Sequence, residues 1–381
     1  MMVHSRCCNL ACIGRRSPWP YGSQHILARH VALPGLLHSA RVMRIHSTCR
    51  LLRKAHNRRV NQSRVLATDS EQQSWTAGDA ALVQEAEPYI THCWTWRDHT
   101  INYAVAGCGP PVVFVHGFGA SIGHFRKNIP ALSQNYKVYA IDLLGFGRSD
   151  KPLMSYSIEL WTEQLLDFLS EFVSQPSILV GNSIGSLISL MASAEGGAER
   201  VKGTVLLNCA GGMNTKGLTD DWRVRLAFPV FRAIDFLLSR QRIARYLFNN
   251  FRTKDNLKRV LQRVYINPEA VDDALVDLIH TPSEAEGALE AFVSVISGPP
   301  GPRPEAIFDR VSGPILLLWG QRDTVTPLDG PVAKFMKAAA DSRPQTQFKI
   351  LQGVGHCLHD DNPQLVNGEL LKWLQEYHAC V

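Results

Sequence analysis

The sequence predicts an α/β fold, in which a mostly parallel sheet is covered by helices on both faces. About eight strand-like runs occur along the chain, and the later ones are continuously apolar and separated by helical patterns. Strands that are buried on both faces have this pattern, whereas strands with one wet face alternate. From 212 to 311 the strand pattern stops and helical periodicity takes over. We therefore expect one catalytic domain with a helical insertion in the 381 residues.

The strands are short apolar runs that end at turn residues. In chain order they are predicted at residues 93–96, 100–106, 112–115, 137–142, 177–180, 203–208, 315–319 and 347–351. Amphipathic helices that would cover the sheet are predicted at 157–170 and from Asn362 to the end of the chain. The insertion is predicted to contain helices at 222–238, 241–251, 256–265, 270–279 and 284–296.

Residues 1–68 differ in composition from the rest of the chain. They contain eleven Arg and one Lys but no Asp or Glu, so their formal charge is +12. The whole chain carries +6, which leaves −6 for the remainder and no basic footprint for nucleic acid. An Arg-rich, Ser-containing stretch without acids is typical of an organelle transit peptide. The alternative is a disordered basic arm that binds an anionic surface.

The predicted organisation is a transit peptide at 1–68, a linker at 69–87, a core in two parts at 88–211 and 312–381, and a helical lid at 212–311 between them. Within the lid, the segment from Leu226 to Leu238 is apolar on nearly every face. Either these side chains only pack the lid on the core, or part of them lines an apolar channel for a long hydrophobic substrate.

Gly181-Asn182-Ser183-Ile184-Gly185 directly follows the apolar run 177–180 and precedes a helical pattern. A serine in so sharp a strand-to-helix turn presents its hydroxyl above the sheet edge. The flanking glycines are needed because a side chain at either position would collide with neighbouring backbone. Ser183 is therefore the predicted nucleophile, which requires an adjacent base to take its proton.

An acid and a base follow later strands. Asp323 comes just after the run 315–319, and His356 follows the run 347–351. The chain order Ser, Asp, His after successive strands marks the α/β-hydrolase fold. His356 is the predicted base and Asp323 the residue that orients it, with His359 and Asp329 as competing candidates.

The backbone N–H groups of Phe118, after the run 112–115, and of Ile184, after the nucleophile, are predicted to form an oxyanion hole. Asp142 is interpreted as a structural residue that anchors a loop. No metal or cofactor motif occurs, because the cysteines lack paired spacing, and we expect catalysis without a cofactor.

Beyond the general fold, Val115-His-Gly-Phe-Gly-Ala-Ser-Ile-Gly-His-Phe-Arg-Lys-Asn-Ile129 and Leu206-Leu-Asn-Cys-Ala-Gly-Gly-Met-Asn214 resemble chlorophyll dephytylase of plants and green algae. Further stretches that resemble this pheophytinase-related family lie at 179–187, 298–302, 326–331 and 351–357. The resemblance implies a chloroplast enzyme that cleaves the phytyl ester of chlorophyll to chlorophyllide and phytol without a metal. It also implies the same roles for Ser183, Asp323 and His356.

We therefore expect a hydrophobic, chlorophyll-like ester as substrate, no nucleic-acid partner, and a location in the chloroplast stroma or at the thylakoid. Because no spanning segment is evident, contact with the membrane would be peripheral, with the lid segment 228–238 as the candidate contact. The composition of residues 1–68 also allows a mitochondrial location. Alternative functions are hydrolysis of pheophytin, a lipid ester or a carbon–carbon bond in an organelle, or a non-catalytic role on the same fold.

Overall fold

The computed structural model describes residues 89–379, in which eight strands form one sheet. Their order across the sheet is β1-β2-β4-β3-β5-β6-β7-β8. β2 pairs antiparallel with β1 and β4, and the other pairs are parallel, which confirms the predicted α/β architecture. The strands are β1 (Ile90–Trp96), β2 (His99–Ala106), β3 (Pro111–Val115), β4 (Lys137–Ile141), β5 (Ser177–Asn182), β6 (Val201–Leu207), β7 (Ile315–Gly320) and β8 (Thr346–Leu351).

The helices of the described residues follow the strands in alternation, apart from the group between β6 and β7. They are α1 (Ile129–Leu132), α2 (Ile158–Phe172), α3 (Ile184–Gly196), α4 (Trp222–Leu238), α5 (Gln241–Phe251), α6 (Lys254–Val264), α7 (Asp273–Ser283), α8 (Ala288–Ser297), α9 (Pro331–Ser342), α10 (Leu358–Asp361) and α11 (Pro363–Ala379). Short 3₁₀ helices lie at Ile122–Phe125, Thr215–Gly217, Pro268–Ala270, Pro304–Ala306 and Phe308–Arg310. None of the helices in this part of the chain combines the length and apolarity that a membrane crossing requires.

The predicted transit peptide (1–68) and linker (69–87) lie outside the described residues. Helices α4 to α8 occupy the interval between β6 and β7 where the sequence predicts a lid. That this insertion acts as a lid, with bounds at 212 and 311, stays a prediction.

Both faces of the central strands are buried, which explains why these strands are apolar without alternation, whereas the edge strands β1 and β8 are partly exposed. Val113 and Val115 of β3 belong to one core cluster, together with Trp161 of α2. Val112 and Phe114 point the opposite way and pack in a second cluster with α11. All four β3 side chains are fully buried. Each such side chain contributes about 1.5–3 kcal/mol on removal from water, so the two helical layers hold the central strands in place.

Helix α4 departs from this pattern, because its apolar side chains mostly face solvent. Leu238 is its one buried residue, whereas Trp222 is 70 % exposed and Leu226 is 74 % exposed. One of the two alternatives for segment 226–238 is that its side chains only pack the lid on the core. For most of these side chains that alternative is wrong.

The turn between β5 and α3 has an unusual backbone. Ser183 has a φ of 56° and a ψ of −120°, a conformation that costs a residue other than glycine about 1–3 kcal/mol. The turn is also tightly packed. A Cβ atom on Gly181 would lie 2.2 Å from the carbonyl oxygen of Gly185, and a Cβ atom on Gly185 would lie 2.2 Å from that of Val115. Only glycine at both positions allows this approach.

The hydroxyl of Ser186 further ties the turn to β6. Its Oγ donates to the carbonyl oxygen of Gly181 at 2.7 Å and accepts from the backbone N–H of Leu207 at 3.0 Å. Because Ser186 is fully buried, these bonds are protected from water and hold the end of β5 against the end of β6.

We expect Gly185→Ala to lower the free energy of unfolding by roughly 2–4 kcal/mol, because its methyl group would collide with the Val115 carbonyl. Denaturant unfolding followed by circular dichroism measures this change. Gly368→Ala is the control, since a Cβ atom there meets nothing within 4 Å. Gly368 lies in the interior of α11, so this second change should stabilise the protein by up to about 1 kcal/mol. Small effects from both substitutions would contradict the tight packing of the turn.

Candidate active site

Ser183 lies at the carboxyl end of β5, immediately before the first residue of α3. Its backbone N–H donates to the Leu207 carbonyl at 3.0 Å, and its own carbonyl accepts from the N–H of Ala210 at 3.1 Å. These bonds to the segment after β6 fix the strained turn in position. The Ser183 side chain is partly exposed, so its hydroxyl can be reached by a reactant.

Asp323 and His356 are in direct contact, after β7 and β8 respectively. His356 Nδ1 lies 2.9 Å from Asp323 Oδ2. A carboxylate can only accept, so Nδ1 carries the proton and Nε2 remains free to accept one. This is the tautomer that a general base needs, and the carboxylate fixes the orientation of the ring.

The Asp323 carboxylate is held by further donors. Its Oδ1 accepts from the backbone N–H groups of Val325 at 2.7 Å and Thr326 at 3.0 Å, and its Oδ2 accepts from the Thr326 hydroxyl at 2.6 Å. Burial alone would raise the pKa of Asp323, but the hydrogen bonds from His356 and Thr326 and the nearby imidazole outweigh it, and the pKa is lowered. Asp323 therefore stays ionised well into the acidic range.

The loops that carry the serine and the histidine are adjacent. Asn182 Nδ2, one residue before Ser183, donates to the carbonyl of His356 at 3.3 Å. Strands β5, β6, β7 and β8 are consecutive and parallel, so their carboxyl ends lie at one edge of the sheet. Ser183, Asp323 and His356 follow β5, β7 and β8 respectively and therefore lie at this edge. This edge is where ligands bind in open α/β sheets.

The two competing candidates lie elsewhere. His359 is fully buried, and neither of its ring nitrogens has a hydrogen-bond partner among residues 89–379. Burial lowers its pKa well below the ordinary value. The Asp329 side chain is 72 % exposed and pairs with Arg223 at 3.2 Å. Within residues 89–379, neither His359 nor Asp329 forms a side-chain hydrogen bond with Asp323 or His356.

The backbone N–H groups of Phe118 and Ile184 are available to an oxyanion. Neither donates to an acceptor within the described part of the chain. Ile184 is the first residue of α3, whose partial positive charge at that end favours an anion. Gly117 brings the Phe118 loop close, because a Cβ atom on Gly117 would lie 3.2 Å from the Cβ of Ser183.

Two buried polar residues shape the Phe118 loop. His116 Nε2 accepts from the N–H of Leu143 at 3.0 Å, which leaves Nδ1 to donate to the Gly117 carbonyl at 2.8 Å. Asp142 accepts from the N–H of Ile122 at 2.7 Å and from that of Arg148 at 2.8 Å. Asp142 thus anchors two loops, and no contact links it to Asp323 or His356.

Asn208 is a residue that the sequence did not single out. It follows β6 with a φ of 48°, and its side chain is fully buried. Its Nδ2 donates to the carbonyls of Gly355 at 2.9 Å and His356 at 2.8 Å. Its Oδ1 accepts from the N–H of Gly320 at 2.8 Å. One amide thus connects the strand before Asp323 to the loop that carries His356.

The insertion contributes directly to the position of His356. The backbone N–H of His356 donates to the carbonyl of Val264, the last residue of α6, at 2.9 Å. The Asp361 carboxylate accepts from Gly355 N–H at 2.7 Å and from Asn267 N–H at 2.8 Å. The segment after α6 is therefore bonded to the histidine loop at several points.

A row of aromatic rings leads from the Phe118 loop into the insertion. The ring centroid of Phe292, on α8, lies 5.7 Å from that of Phe118 and 5.2 Å from that of Phe248. Phe251 lies 5.5 Å from Phe292 on the same side. We refer to Phe118, Phe248, Phe251 and Phe292 as the aromatic row. It places apolar surface directly beside one of the two free amides.

Comparison with known proteins agrees with this geometry. Residues 112–369 match the family model described as the alpha/beta hydrolase family. The chain is 26 % identical over 347 residues to the chloroplastic pheophytinase of Arabidopsis thaliana, a match that covers 76 % of this chain and 67 % of that protein. It is 28 % identical over 273 residues to the 2-hydroxy-6-oxo-6-(2'-aminophenyl)hexa-2,4-dienoic acid hydrolase of Metapseudomonas resinovorans, covering 69 % of this chain and 83 % of that one.

Solved structures give the same fold. A serine hydrolase involved in carbazole degradation superposes with a TM-score of 0.59 at 23 % identity, covering 75 % of this chain and 99 % of that one. A bacterial membrane phospholipase A superposes with a TM-score of 0.60 at 21 % identity, covering 76 % of this chain and 87 % of that one. At these identities the likeness concerns the fold alone.

We expect Asn208→Ala to lower kcat for a short-chain ester on the order of 10- to 100-fold, with KM nearly unchanged. The lost amide loosens the Asp323–His356 pair, while the surfaces that contact substrate remain. Steady-state kinetics, together with the rate at which a phosphonate labels Ser183, measure the effect.

Asn128→Ala is the matched control. Asn128 is also fully buried, and its Nδ2 donates to the carbonyl of His359 at 3.0 Å and to Asn367 at 2.8 Å. Its loss should lower the unfolding free energy but leave kcat near that of the unsubstituted chain. Equal losses of kcat in the two variants would show that Asn208 only supports the fold.

Proposed function

The chain belongs to the alpha/beta hydrolase family, and on this premise we propose that it is a serine hydrolase that cleaves the phytyl ester of chlorophyll. The observation that carries the serine mechanism is the position of Ser183, in its strained turn, at the same sheet edge as the hydrogen-bonded Asp323–His356 pair. The products would be chlorophyllide and phytol.

In the proposed reaction Ser183 Oγ attacks the ester carbonyl while His356 Nε2 takes its proton. The N–H groups of Phe118 and Ile184 bind the oxyanion, a contribution on the order of 3 kcal/mol per donor. The carbonyl–oxygen bond to the alcohol then breaks, and His356 returns the proton to that oxygen. Water, deprotonated by the same histidine, attacks the acyl-enzyme and releases the acid and Ser183. Asp323 stabilises the imidazolium in both halves.

The choice of a phytyl ester is supported by three observations. Six stretches of the sequence resemble chlorophyll dephytylase, including residues 298–302, which the general mechanism does not require. The chloroplastic pheophytinase of Arabidopsis thaliana is among the relatives of the chain. The aromatic row gives a long branched hydrocarbon an apolar surface beside the oxyanion donors.

A second candidate function is hydrolysis of a different substrate on the same triad, such as pheophytin, a lipid ester or a carbon–carbon bond. The relative from Metapseudomonas resinovorans, a dienoic acid hydrolase, shows that a protein similar to this chain acts on a substrate other than a phytyl ester. A non-catalytic role is disfavoured, because Ser183, Asp323 and His356 are all present and His356 is hydrogen-bonded to Asp323.

The place of action that we propose is the chloroplast, in the stroma or at the thylakoid, with the mitochondrion as the alternative. The proposal depends on the acid-free composition of residues 1–68 and on the likeness to chloroplast hydrolases. No added cofactor is proposed, since the oxyanion donors and the triad perform the chemistry with protein groups alone.

Purified protein is expected to convert chlorophyll a to chlorophyllide and free phytol, and Ser183→Ala to lose this activity while its circular dichroism is unchanged. Short-chain esters should be hydrolysed with a kcat/KM at least about 100-fold lower, since they forgo the binding energy of the tail. Chromatographic product analysis with chlorophyll a, pheophytin a and p-nitrophenyl esters measures the conversion of chlorophyll, the loss of activity in Ser183→Ala and the rate on short-chain esters. Efficient cleavage of short esters without any chlorophyllide or pheophorbide would exclude a phytyl substrate.

Phe292→Ala tests the aromatic row within the same assay. Its loss should reduce the preference for long-chain over short-chain esters, while activity on acetate esters is retained. Phe172→Ala is the control, because Phe172 packs on Tyr103, with ring centroids 4.9 Å apart, in the first core cluster and outside the row. If both variants keep the preference for long-chain esters, the aromatic row does not bind the hydrocarbon chain of the substrate.

A reporter fused behind residues 1–68 is expected to enter the chloroplast and to lose the leader there. Fluorescence microscopy and the N-terminal sequence of the imported protein measure the two outcomes. Import into mitochondria would favour the alternative organelle. A cytosolic reporter would contradict the transit-peptide assignment.

A further inference from the structure

We propose that the outer face of helices α4 and α5 is a docking surface for an anionic lipid bilayer. Trp222, Leu226, Val230 and Leu237 are spaced by four, four and seven residues, so they lie on one face of α4. Their exposed fractions are 70, 74, 57 and 38 %. A helix with such a stripe normally buries it, whereas here the stripe faces solvent.

Neighbouring side chains extend the apolar surface. Phe236 on α4 is 60 % exposed, and Tyr246 on α5 is 73 % exposed. On soluble proteins, contiguous apolar surface of this kind marks a site of contact with a partner or a membrane. Aromatic residues of the Trp and Tyr type are also the ones that favour the boundary between headgroups and acyl chains.

Positive charge borders the apolar stripe. Exposed arginines on α4, on α5 and between these helices form no ion pair with any described residue, and they are Arg225, Arg232, Arg240, Arg242 and Arg245. The acid within these helices, Asp235, is neutralised by Lys216 at 2.7 Å. An occupant must therefore be apolar at its centre and negatively charged at its margin. A bilayer with anionic headgroups has this combination, because arginine side chains reach the phosphates while the apolar stripe enters the acyl region.

Other occupants would place like charges together. A second copy of the chain would bring the unpaired arginines of two such faces into contact. The leader segment 1–68 has a formal charge of +12, so it too would be repelled. The charge of the face thus selects an anionic partner.

The docking surface and the aromatic row share helix α5. Phe248 and Phe251 belong to α5, and through Phe292 they reach the ring of Phe118 in the oxyanion loop. A bilayer on the outer face would therefore deliver an apolar substrate to the aromatic row on α5 and α8. Docking itself does not depend on which ester is hydrolysed.

The full chain is tested by sedimentation with vesicles of phosphatidylcholine alone and with vesicles that contain about one third phosphatidylglycerol. Two double variants separate the contributions: Leu226→Ser with Val230→Ser removes apolar contacts, and Arg242→Gln with Arg245→Gln removes charge. The control is Leu153→Ser, because Leu153 is 86 % exposed and lies outside α4 and α5. Arginines of residues 1–68 are common to every variant, so only the differences between variants count.

Each double variant is expected to weaken binding to anionic vesicles at least about fivefold. Only the Arg242→Gln, Arg245→Gln variant should also reduce the salt dependence of this binding. Leu153→Ser should bind like the unsubstituted chain. Brominated lipid should quench the fluorescence of Trp222. Because Trp222→Phe removes this part of the signal, the comparison of the two proteins locates the contact on α4. Retained activity on a soluble short-chain ester shows that each variant is folded.

Equal vesicle binding by the unsubstituted chain and both double variants would overturn the proposal. So would self-association in solution that the Leu226→Ser, Val230→Ser variant abolishes without a change in vesicle binding, since that result identifies a second copy as the occupant.

Discussion

The candidate site depends on backbone segments that approach one another more closely than any side chain would permit. Gly181 and Gly185 allow the turn that carries Ser183 to fold back on itself. A Cβ atom on Gly320 would likewise lie 2.3 Å from the carbonyl of Gly355. These two contacts bring the ends of β7 and β8 together and expose the serine at the end of β5. Once the backbones are this close, short polar side chains can connect them, as Ser186 and Asn208 do.

The geometry of the candidate site is consequently set by many residues outside the proposed triad. Asn208 binds the segments before Asp323 and around His356, and Asp361 binds the histidine loop to the insertion. Both side chains are buried, so their hydrogen bonds are not exchanged for water and keep the loops in register. The triad residues themselves contribute only their own functional groups to an already fixed frame.

The sequence predicted the strands and the positions of Ser183, Asp323 and His356 because burial on both faces and strand-end turns leave a local pattern. Helix ends in the insertion were less accurate. The sequence predicts helices at 270–279 and 284–296, whereas the structure has Asp273–Ser283 and Ala288–Ser297. Pro282 is tolerated inside α7, and Gly287, with a φ of 81°, separates the two helices instead. The helix thus continues through Pro282, against the tendency of proline to end a helix.

Other features could not be derived from the sequence for a physical reason. The role of Asn208 depends on which strands are neighbours and on their register, and neither is encoded near residue 208. The orientation of α4 is similar, because an apolar stripe has the same period whether it faces a core or solvent. A local pattern specifies which residues share a face, and only the packed structure shows what that face meets.

The bond from His356 to the Val264 carbonyl has a consequence for the modularity of the enzyme. Insertions in this fold are readily regarded as accessories mounted on a complete catalytic core. Here the core is incomplete without its insertion, because the backbone of the base is satisfied by the last residue of α6. Excision of the insertion would leave the backbone N–H of His356 without its acceptor next to the imidazole. The part of the insertion that can be exchanged therefore ends with α5, since α6 and the segment that follows it are bonded to the loop that carries His356.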